Sequence, residues 1–552
     1  MSDPLVTPKN KPPTNDQLHS TTAVERKPST PNHVDHPPPK ALMLAIFLGL
    51  VASVGGFMFG YESGQISGYF NMPNYAHRFG VPNGDGGYSF SAVRQGTIVA
   101  NLCAGALVGS LVAGRLADIL GRRMTVSTSA FFCMIGKVLE IASTTHWAQF
   151  AVGRFVGGIG IGALSVVVPM YQSECAPKAV RGVLISSYQL FITLGIWTGY
   201  MVDFGTNSMD SSAAWRIPEG LSFLWAAVLG IGILMLPESP RFAYRIGRED
   251  EARENIARLA GVEITHKEVV DQIHDIQEKI EEESEQKEVA WHEVFTGPRM
   301  LYRTTLGVVL QAGQQLTGAN FLFYYGTTVF SATGLSNSYV TQIILGTVNV
   351  VCTIAGLWVA AKCGRRKALM AGAAWSFVCF MIYALVGNFM LDNQDPQSTP
   401  TAGNILIVFS CLFIVAFATT WGPLVWAIVA ELYPARYRAQ CMALATASNW
   451  LWNFLISFFT TVIVQKIHWL YGLVFAGCSF ALFFIVYFFL IESKDRSLEE
   501  IDTMYVHRVN PITSATWKGL ESTRNASEGG VAPGTDEEKE ITSTAASSPA
   551  VA

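Results

Sequence analysis

The sequence predicts an all-α membrane protein: twelve transmembrane helices in two six-helix halves, with an intracellular helical linker between them. Three observations lead there. Half of the 552 residues (50%) are apolar and only 14% are charged, against about 25% charged in an ordinary soluble domain. About twelve apolar stretches recur along the chain, each near the roughly 20 residues that a bilayer span requires. Short motifs of the first half return in the second at similar offsets. The balance of 38 Lys+Arg against 42 Asp+Glu, a net charge of -4, gives no electrostatic support for nucleic-acid binding. The 9 cysteines contain no C-x-x-C pair and read as small packing residues.

Taken in order, residues 1–40 are rich in Pro, Thr and Asn and hold no apolar run. They read as a disordered cytoplasmic tail, not a signal peptide. Residues 41–239 form the N-terminal six-helix half, with spans centred near Leu50, Cys103, Cys133, Ile159, Phe191 and Val228. Residues 240–300 are the hydrophilic linker. There Val269, Ile273, Ile276 and Ile280 recur at helical spacing, so the linker is expected to be short amphipathic helices at the membrane surface. Residues 301–491 form the C-terminal half, with spans near Gln314, Val350, Phe377, Val415, Leu451 and Phe483. Residues 492–552, rich in Ser, Thr, Ala and Glu, read as a disordered cytoplasmic tail, which carries the N-x-[ST] sequon at Asn525.

Basic residues set the orientation. With both termini in the cytoplasm, the short inner loops hold Arg115, Arg122, Arg123, Lys178, Arg181, Lys362, Arg365, Arg366, Lys367, Arg436 and Arg438. The outer loops hold only Arg78, Arg94, Arg216 and Lys466. The internal echoes all fall on that inner face. Glu174, Pro177 and Arg181 are repeated by Glu431, Pro434 and Arg438, 257 residues later. Gly121-Arg122-Arg123 returns at Gly364, 243 later, and Pro237-Glu238-Ser239 is echoed by Ile491-Glu492-Ser493, 254 later. A duplicated six-helix unit with a site at its interface is a recurring transporter design.

Polar residues inside apolar spans are functional candidates by default. Gln189, Gln314, Gln315, Asn320, Asn349, Asn449 and Asn453 are carboxamides in such positions. Two readings are open from the residues alone: amides that hold helices together, and amides that meet a polar ligand. Glycines at four-residue spacing, such as Gly56 and Gly60, Gly105 and Gly109, Gly158 and Gly162, Gly195 and Gly199, let helices approach closely.

GRLADILGRR (Gly114 to Arg123), PESPRF (Pro237 to Phe242), QQLTGANFLFYY (Gln314 to Tyr325), RFVGGIGIGALSVVVPMYQSECAPKAVRG and WGPLVWAIVAELYPARYR resemble the sugar porter family of the major facilitator superfamily. The resemblance runs from about Leu50 to Asp502, and FGYESGQISGYF is most similar to fungal hexose transporters. It implies a major facilitator fold and an alternating-access carrier in the plasma membrane that takes glucose or a related monosaccharide. Amides suit such a substrate, since every sugar hydroxyl both donates and accepts. The resemblance places Gln189, Gln314, Gln315, Asn320, Asn349 and Asn449 at the substrate, with Asn453 a weaker case. It sets Trp426 and Trp450 against the sugar's C–H face, with Phe59 and Phe417 as weaker candidates, and Tyr324 and Tyr325 near the outer gate. Asp118, Arg122, Arg123, Glu174, Arg181, Glu431 and Arg438 would form salt bridges between the halves, closed when the carrier faces outward; the alternative is positive-inside anchoring. Ala361 stands where the family often has an acid, so the second network is expected to be weaker or to use another partner.

Glu62 in the first span and Arg154 in the fourth match a carboxylate–arginine pair that couples protons in some sugar porters. They read here either as a proton-coupling pair for symport or as a structural ion pair in a facilitator. Lys137 and Glu140, an i, i+3 pair in the third span, could neutralise each other. Glu219 and Ser222 stand where relatives often have an apolar residue and Gln. No P-loop and no HExxH occur, so the expectation is a transporter that is not an enzyme, with no cofactor, no metal and no catalytic residues. A non-transporting glucose sensor of the same fold is the second function class, and pentoses, disaccharides or cyclic polyols are alternative substrates.

Overall fold

The protein was analysed as a computed structural model, in which residues 39–83, 87–176, 181–285, 292–331, 337–392, 398–434, 436–494, 496 and 498–517 are described. The expected tail over 1–40 and the sequon at Asn525 therefore lie almost entirely outside the described residues.

The N-terminal half comprises α1 (Pro39–Tyr69), the short α2 (Pro73–Phe79), α3 (Ala92–Leu120), α4 (Arg122–Ile141), α5 (Trp147–Cys175), α6 (Arg181–Thr206) and α7 (Ala213–Leu234). A two-stranded hairpin, Val81–Pro82 against Tyr88–Ser89, lies between α2 and α3. The linker folds as α8 (Pro240–Arg245), α9 (Glu249–Ala260), α10 (Lys267–Glu285) and α11 (Glu293–Thr296). The C-terminal half holds α12 (Met300–Leu316), α13 (Ala319–Ser331), α14 (Ser338–Lys362), α15 (Arg365–Phe389), α16 (Pro400–Thr419), α17 (Trp421–Leu432), α18 (Arg438–Ile467) and α19 (Tyr471–Phe489), followed by α20 (Leu498–Val506).

Each of the twelve expected span centres falls inside a helix of this set. Among the described residues, nine segments are long and apolar enough to cross a membrane. Two of them run through a break: 400–432 at Thr420, between α16 and α17, and 440–489 at His468, whose φ is +47°. The span expected near Gln314 is also divided, into α12 and α13. Gly318 sits at this break with φ +92°, a conformation that costs glycine nothing and other residues strain.

The radial pattern is that of a chain solvated by lipid. Phe389, Ile119, Phe131, Ile231 and Trp358 face outward, while Arg154, Glu140, Glu219, Gln311 and Gln172 are fully buried. A soluble protein shows the reverse. Helix ends take side-chain caps where the chain leaves the apolar region: Ser91 accepts from Arg94 N at 3.4 Å, and Asn337 accepts from Tyr339 N and Val340 N at 3.1 and 3.3 Å.

Glycines allow the closest helix packing. A Cβ at Gly105, Gly109, Gly158 or Gly162 would stand 2.0 to 2.2 Å from a carbonyl oxygen across the α3–α5 contact. Gly60 and Gly195 do the same between α1 and α6. These residues bring backbones into contact, and van der Waals packing then holds helices that gain no hydrophobic advantage over lipid.

Two expectations change. Val269 and Ile273 of the linker stripe are buried on α8 and α9, in a small core with Ala252 and Ile256, so this part of the amphipathic face is covered by protein. Residues 492–517 do not behave as a tail either: Ile501, Met504 and Tyr505 are buried in the core of the C-terminal half, and Arg303 on α12 binds Asp502 at 2.6 Å.

Candidate functional site

Between the halves lies a cavity of about 320 Å³. Gln189, Gln314, Gln315, Asn320, Asn349, Asn449, Trp426 and Trp450, all expected at the substrate, line it together with Asn453, Phe59 and Phe417. They come from α6, α12, α13, α14, α16, α17 and α18 of both halves, and from α1 through Phe59.

Four of the amides form one network with Gln311, a residue the sequence reading passed over. Asn449 Nδ2 donates to Gln311 Oε1 at 2.7 Å and to Gln314 Oε1 at 2.8 Å. Gln315 Nε2 donates to Asn449 Oδ1 at 3.0 Å, and Asn320 Nδ2 donates to Gln315 Oε1. Gln314 Nε2 donates to the carbonyls of Trp421 and Gly422 at 3.0 and 2.9 Å, in the first turn of α17 just after the break from α16. Gln311, Gln314 and Gln315 stand at i, i+3 and i+4, so one helical face carries all three; that spacing was the available signal. The amides thus join α12, α13, α17 and α18 and also line the cavity, which unites the two readings left open above.

Gln189 and Asn349 differ. Both line the cavity, and neither hydrogen-bonds another described residue. Asn349 is nonetheless 2% exposed. A buried amide left unpaired is costly, so both side chains suit a ligand that supplies partners. Trp450 packs edge-on to Phe59 across the halves, with centroids 5.1 Å apart, and its indole Nε1 has no hydrogen-bond partner.

The hydrogen bonds between the halves gather toward the helix ends away from the GRR motifs. Ser67 and Thr327 hydroxyls are 2.9 Å apart, Gln342 Nε2 donates to Ser67 Oγ at 3.1 Å, and Tyr339 OH donates to the Gly68 carbonyl at 2.8 Å. Thr461 Oγ1 donates to the Ala92 carbonyl at 2.7 Å. Tyr324 and Tyr325 are buried in the aromatic cluster of this closed face, with Tyr69, Tyr75 and Trp215, and Tyr325 OH donates to the Ser457 carbonyl at 2.5 Å.

On the motif face the described charged residues pair within each half; the bridges expected between halves belong to the outward-facing state, in which this face closes. Arg122 binds Glu174 at 2.9 Å and Asp118 at 3.3 Å. Arg365 binds Glu431 at 3.4 Å. Ser239 donates to Glu174, and Ser493 donates to Glu431 at 2.6 Å. Glu238 accepts the backbone N–H of Arg122 and Arg123 at the start of α4 (3.1 and 3.2 Å), and Glu492 accepts that of Arg365 at the start of α15 (2.8 Å). Arg438 donates to its neighbour Tyr433 O at 3.1 Å. The Arg181 side chain lies outside the described residues. Each motif therefore ties together helix ends of its own half, with the same geometry twice.

Glu62 and Arg154 do meet, at 3.1 Å. They belong to a larger buried cluster that also takes in Lys137, Glu140, Glu219, Ser222 and Gln65. The sequence showed Glu62–Arg154 and Lys137–Glu140 as separate pairs and Glu219 and Ser222 apart from them, because the partners come from α1, α4, α5 and α7.

Comparison with known proteins follows the same lines. Residues 48–505 match the family model described as "Sugar (and other) transporter". The hexose transporter HXT10 of Saccharomyces cerevisiae is 43% identical over 473 residues, covering 85% of this chain and 87% of that protein. The low-affinity glucose transporter HXT1 of the same yeast is 42% identical over 471 residues, covering 85% and 83%. Among solved structures, the partially occluded inward-open xylose transporter XylE of E. coli aligns with a TM-score of 0.68 at 22% identity, over 82% of this chain and 100% of that one, which shows the shared fold. The chain is a multi-pass membrane protein, and with its duplicated halves and the cavity between them it belongs to the sugar transporter family, a family of carriers and not of enzymes.

Proposed function

We propose that this protein is a plasma-membrane hexose carrier, with glucose as its leading substrate, that works by alternating access with both termini in the cytoplasm. The single observation that carries the reading is the amide-lined cavity between two halves whose hydrogen bonds to each other, among the described residues, gather toward one face. The yeast relatives named as hexose and glucose transporters support hexose as the substrate class, and the eleven-to-four distribution of basic residues supports a cytoplasmic motif face.

The chemistry follows from the geometry. Gln189 and Asn349 offer unengaged donors and acceptors to sugar hydroxyls, while the Gln311–Gln314–Gln315–Asn320–Asn449 network presents amides already fixed in orientation. Prefixed polar groups lose little entropy on binding. Trp426 and Trp450 supply flat apolar faces for the ring. Rocking of the halves closes the motif face and parts the Ser67–Thr327 and Tyr339–Gly68 contacts. The breaks at Gly318 and Thr420 let α13 and α17 bend without loss of a whole helix.

Labelled glucose uptake in cells stripped of their own hexose carriers tests this reading. Uptake that saturates and is competed by other hexoses is expected. Surface-expressed protein that binds glucose without uptake would instead mark a sensor.

A further inference from the structure

A second cavity, of about 540 Å³, opens among α3, α13, α15, α18 and α19 at the helix ends away from the GRR motifs. It is larger than the cavity of about 320 Å³ between the halves, and the two share no lining residue. Moving a sugar through the central cavity makes no use of it.

Its wall combines flat rings with neutral polar groups. Phe321, Tyr383 and Trp469 supply rings. Gln95 of α3 and Gln465 of α18 line it with side-chain amides that make no hydrogen bond among the described residues. Two hydroxyls of the same wall residues, Thr328 Oγ1 and Tyr383 Oη, are buried without a hydrogen-bond partner. Unmet polar groups of this kind carry a cost that a polar occupant removes. Among the described residues no Asp, Glu, Lys or Arg lines the cavity. A phosphate, carboxylate or ammonium ligand would therefore find no counter-charge, and an unpaired charge is expensive to enclose. A sterol or acyl chain would leave the two amides unmet. A ring of hydroxyls meets amides and hydroxyls as both donor and acceptor, and its C–H face suits the flat rings.

We propose that this cavity is a second hexose site, separate from the transport site and complete only while the outer face is closed. It rests on the reading of the chain as a hexose carrier, with the orientation given there.

Two features tie the site to the closed face. The first is that both halves build it. Gln95 belongs to the N-terminal half, and the other residues named above to the C-terminal half. The halves touch at this point: a Cβ at Gly96 would stand 2.5 Å from the Phe458 carbonyl oxygen, and Thr461, in the cavity wall, donates to the Ala92 carbonyl at 2.7 Å. Opening the outer face carries Gln95 away from α18, and the site loses one of its two unengaged amides. A ligand favours the state that binds it better, so hexose here holds the outer face shut. The second feature is the turn from α18 to α19. His468, in the wall, has φ +47°, which few residues with a Cβ adopt. The Trp469 beside it is fixed by its neighbours: its ring centroid lies 5.8 Å from that of Tyr383, and a Cβ at Gly387 would stand 2.6 Å from its Cγ. Such backbone strain persists where the surroundings hold it, and it collects at ligand sites.

The test shuts the outer face so that external sugar cannot reach the central cavity. The full-length Ser67→Cys/Thr327→Cys/Val464→Cys protein is expressed in cells stripped of their own hexose carriers, and the thiols at 67 and 327 are joined by oxidation. Val464 is half-buried in the wall of the second cavity, so the thiol placed there reports its occupancy to a membrane-impermeant maleimide. External glucose at about ten times its dissociation constant leaves about a tenth of the sites open, and labelling is expected to slow about tenfold. Adding Gln95→Leu to this protein is expected to abolish the protection. Gln95→Leu alone is expected to take up glucose at low concentration as the wild type does. If the triple variant does not reach the surface, Val464→Cys alone, with and without Gln95→Leu, is expected to show the same protection and its loss. Labelling that ignores glucose overturns the proposal, as does protection that survives Gln95→Leu. Labelling that is blocked without sugar and appears only in detergent would mark a lipid as the occupant, and overturns it too. Normal uptake by the wild type without protection removes this inference alone; no uptake by the wild type removes the carrier reading, and the inference with it.

Discussion

Asn449 and Asn349 are both buried amides at the cavity, yet they predict different phenotypes. Asn449 bonds Gln311, Gln314 and Gln315 at once. Asn449→Ala leaves those amides short of partners and is expected to cost about 1–3 kcal/mol of stability as well as uptake, seen as a lower melting temperature in detergent. Asn349→Ala breaks no hydrogen bond among the described residues. It is expected to leave the melting temperature nearly unchanged while raising the KM for glucose about tenfold, the loss of one good hydrogen bond. A melting loss in Asn349→Ala equal to that of Asn449→Ala would show that both serve packing alone. At this scale the amide types and positions were legible, because a carboxamide in an apolar span stands out. Gln311 was missed though it shares a helical face with Gln314. Lys137 and Glu140 were legible as an i, i+3 pair, but their meeting with Glu62 and Glu219 depends on how α1, α4 and α7 pack, which no local spacing encodes.

At the level of elements, the helices were legible from hydropathy and their breaks were not. Thr317–Gly318 and Thr420 interrupt apolar runs without polar signals strong enough to announce a boundary. The linker stripe at Val269 and Ile273 gave the helix correctly, but amphipathicity does not say whether the apolar face meets lipid or protein; here it meets α8 and α9. Glycine spacing did point to contact surfaces, and it yields a prediction. A Cβ at Gly158 would lie 2.2 Å from the Leu102 carbonyl oxygen, a backbone atom that cannot turn aside. Gly158→Val is expected to destabilise the α3–α5 pair by at least about 1–3 kcal/mol, measured as lost surface expression or a lowered melting temperature. Gly220→Ala, where no atom lies within 4 Å of the added Cβ, is the control and should behave as wild type.

Across the whole molecule, duplication was the strongest signal in the sequence, and the structure gives it a physical content. Glu238 and Glu492 cap corresponding helices, Ser239 and Ser493 bind corresponding glutamates, and Arg122 and Arg365 complete the pair. In this conformation the networks close within each half; an Arg at a helix end can reach either neighbour, so charge alone does not say in which state bridges between the halves form. With the described motif-face pairs internal to each half, the described hydrogen bonds between the halves gather at the opposite face, at Ser67, Thr327, Tyr339 and Thr461. Alternating access requires these to open in every cycle. The most direct measurement is glucose uptake by the Ser67→Cys/Thr327→Cys protein before and after the two thiols are joined by oxidation or a short bis-thiol linker; the parent hydroxyls are 2.9 Å apart. The expected result is normal uptake when reduced, near-complete loss when joined, and recovery on reduction of the disulfide, with glucose still binding from the motif face throughout. Undiminished uptake with the two residues joined would contradict a carrier that rocks about its cavity.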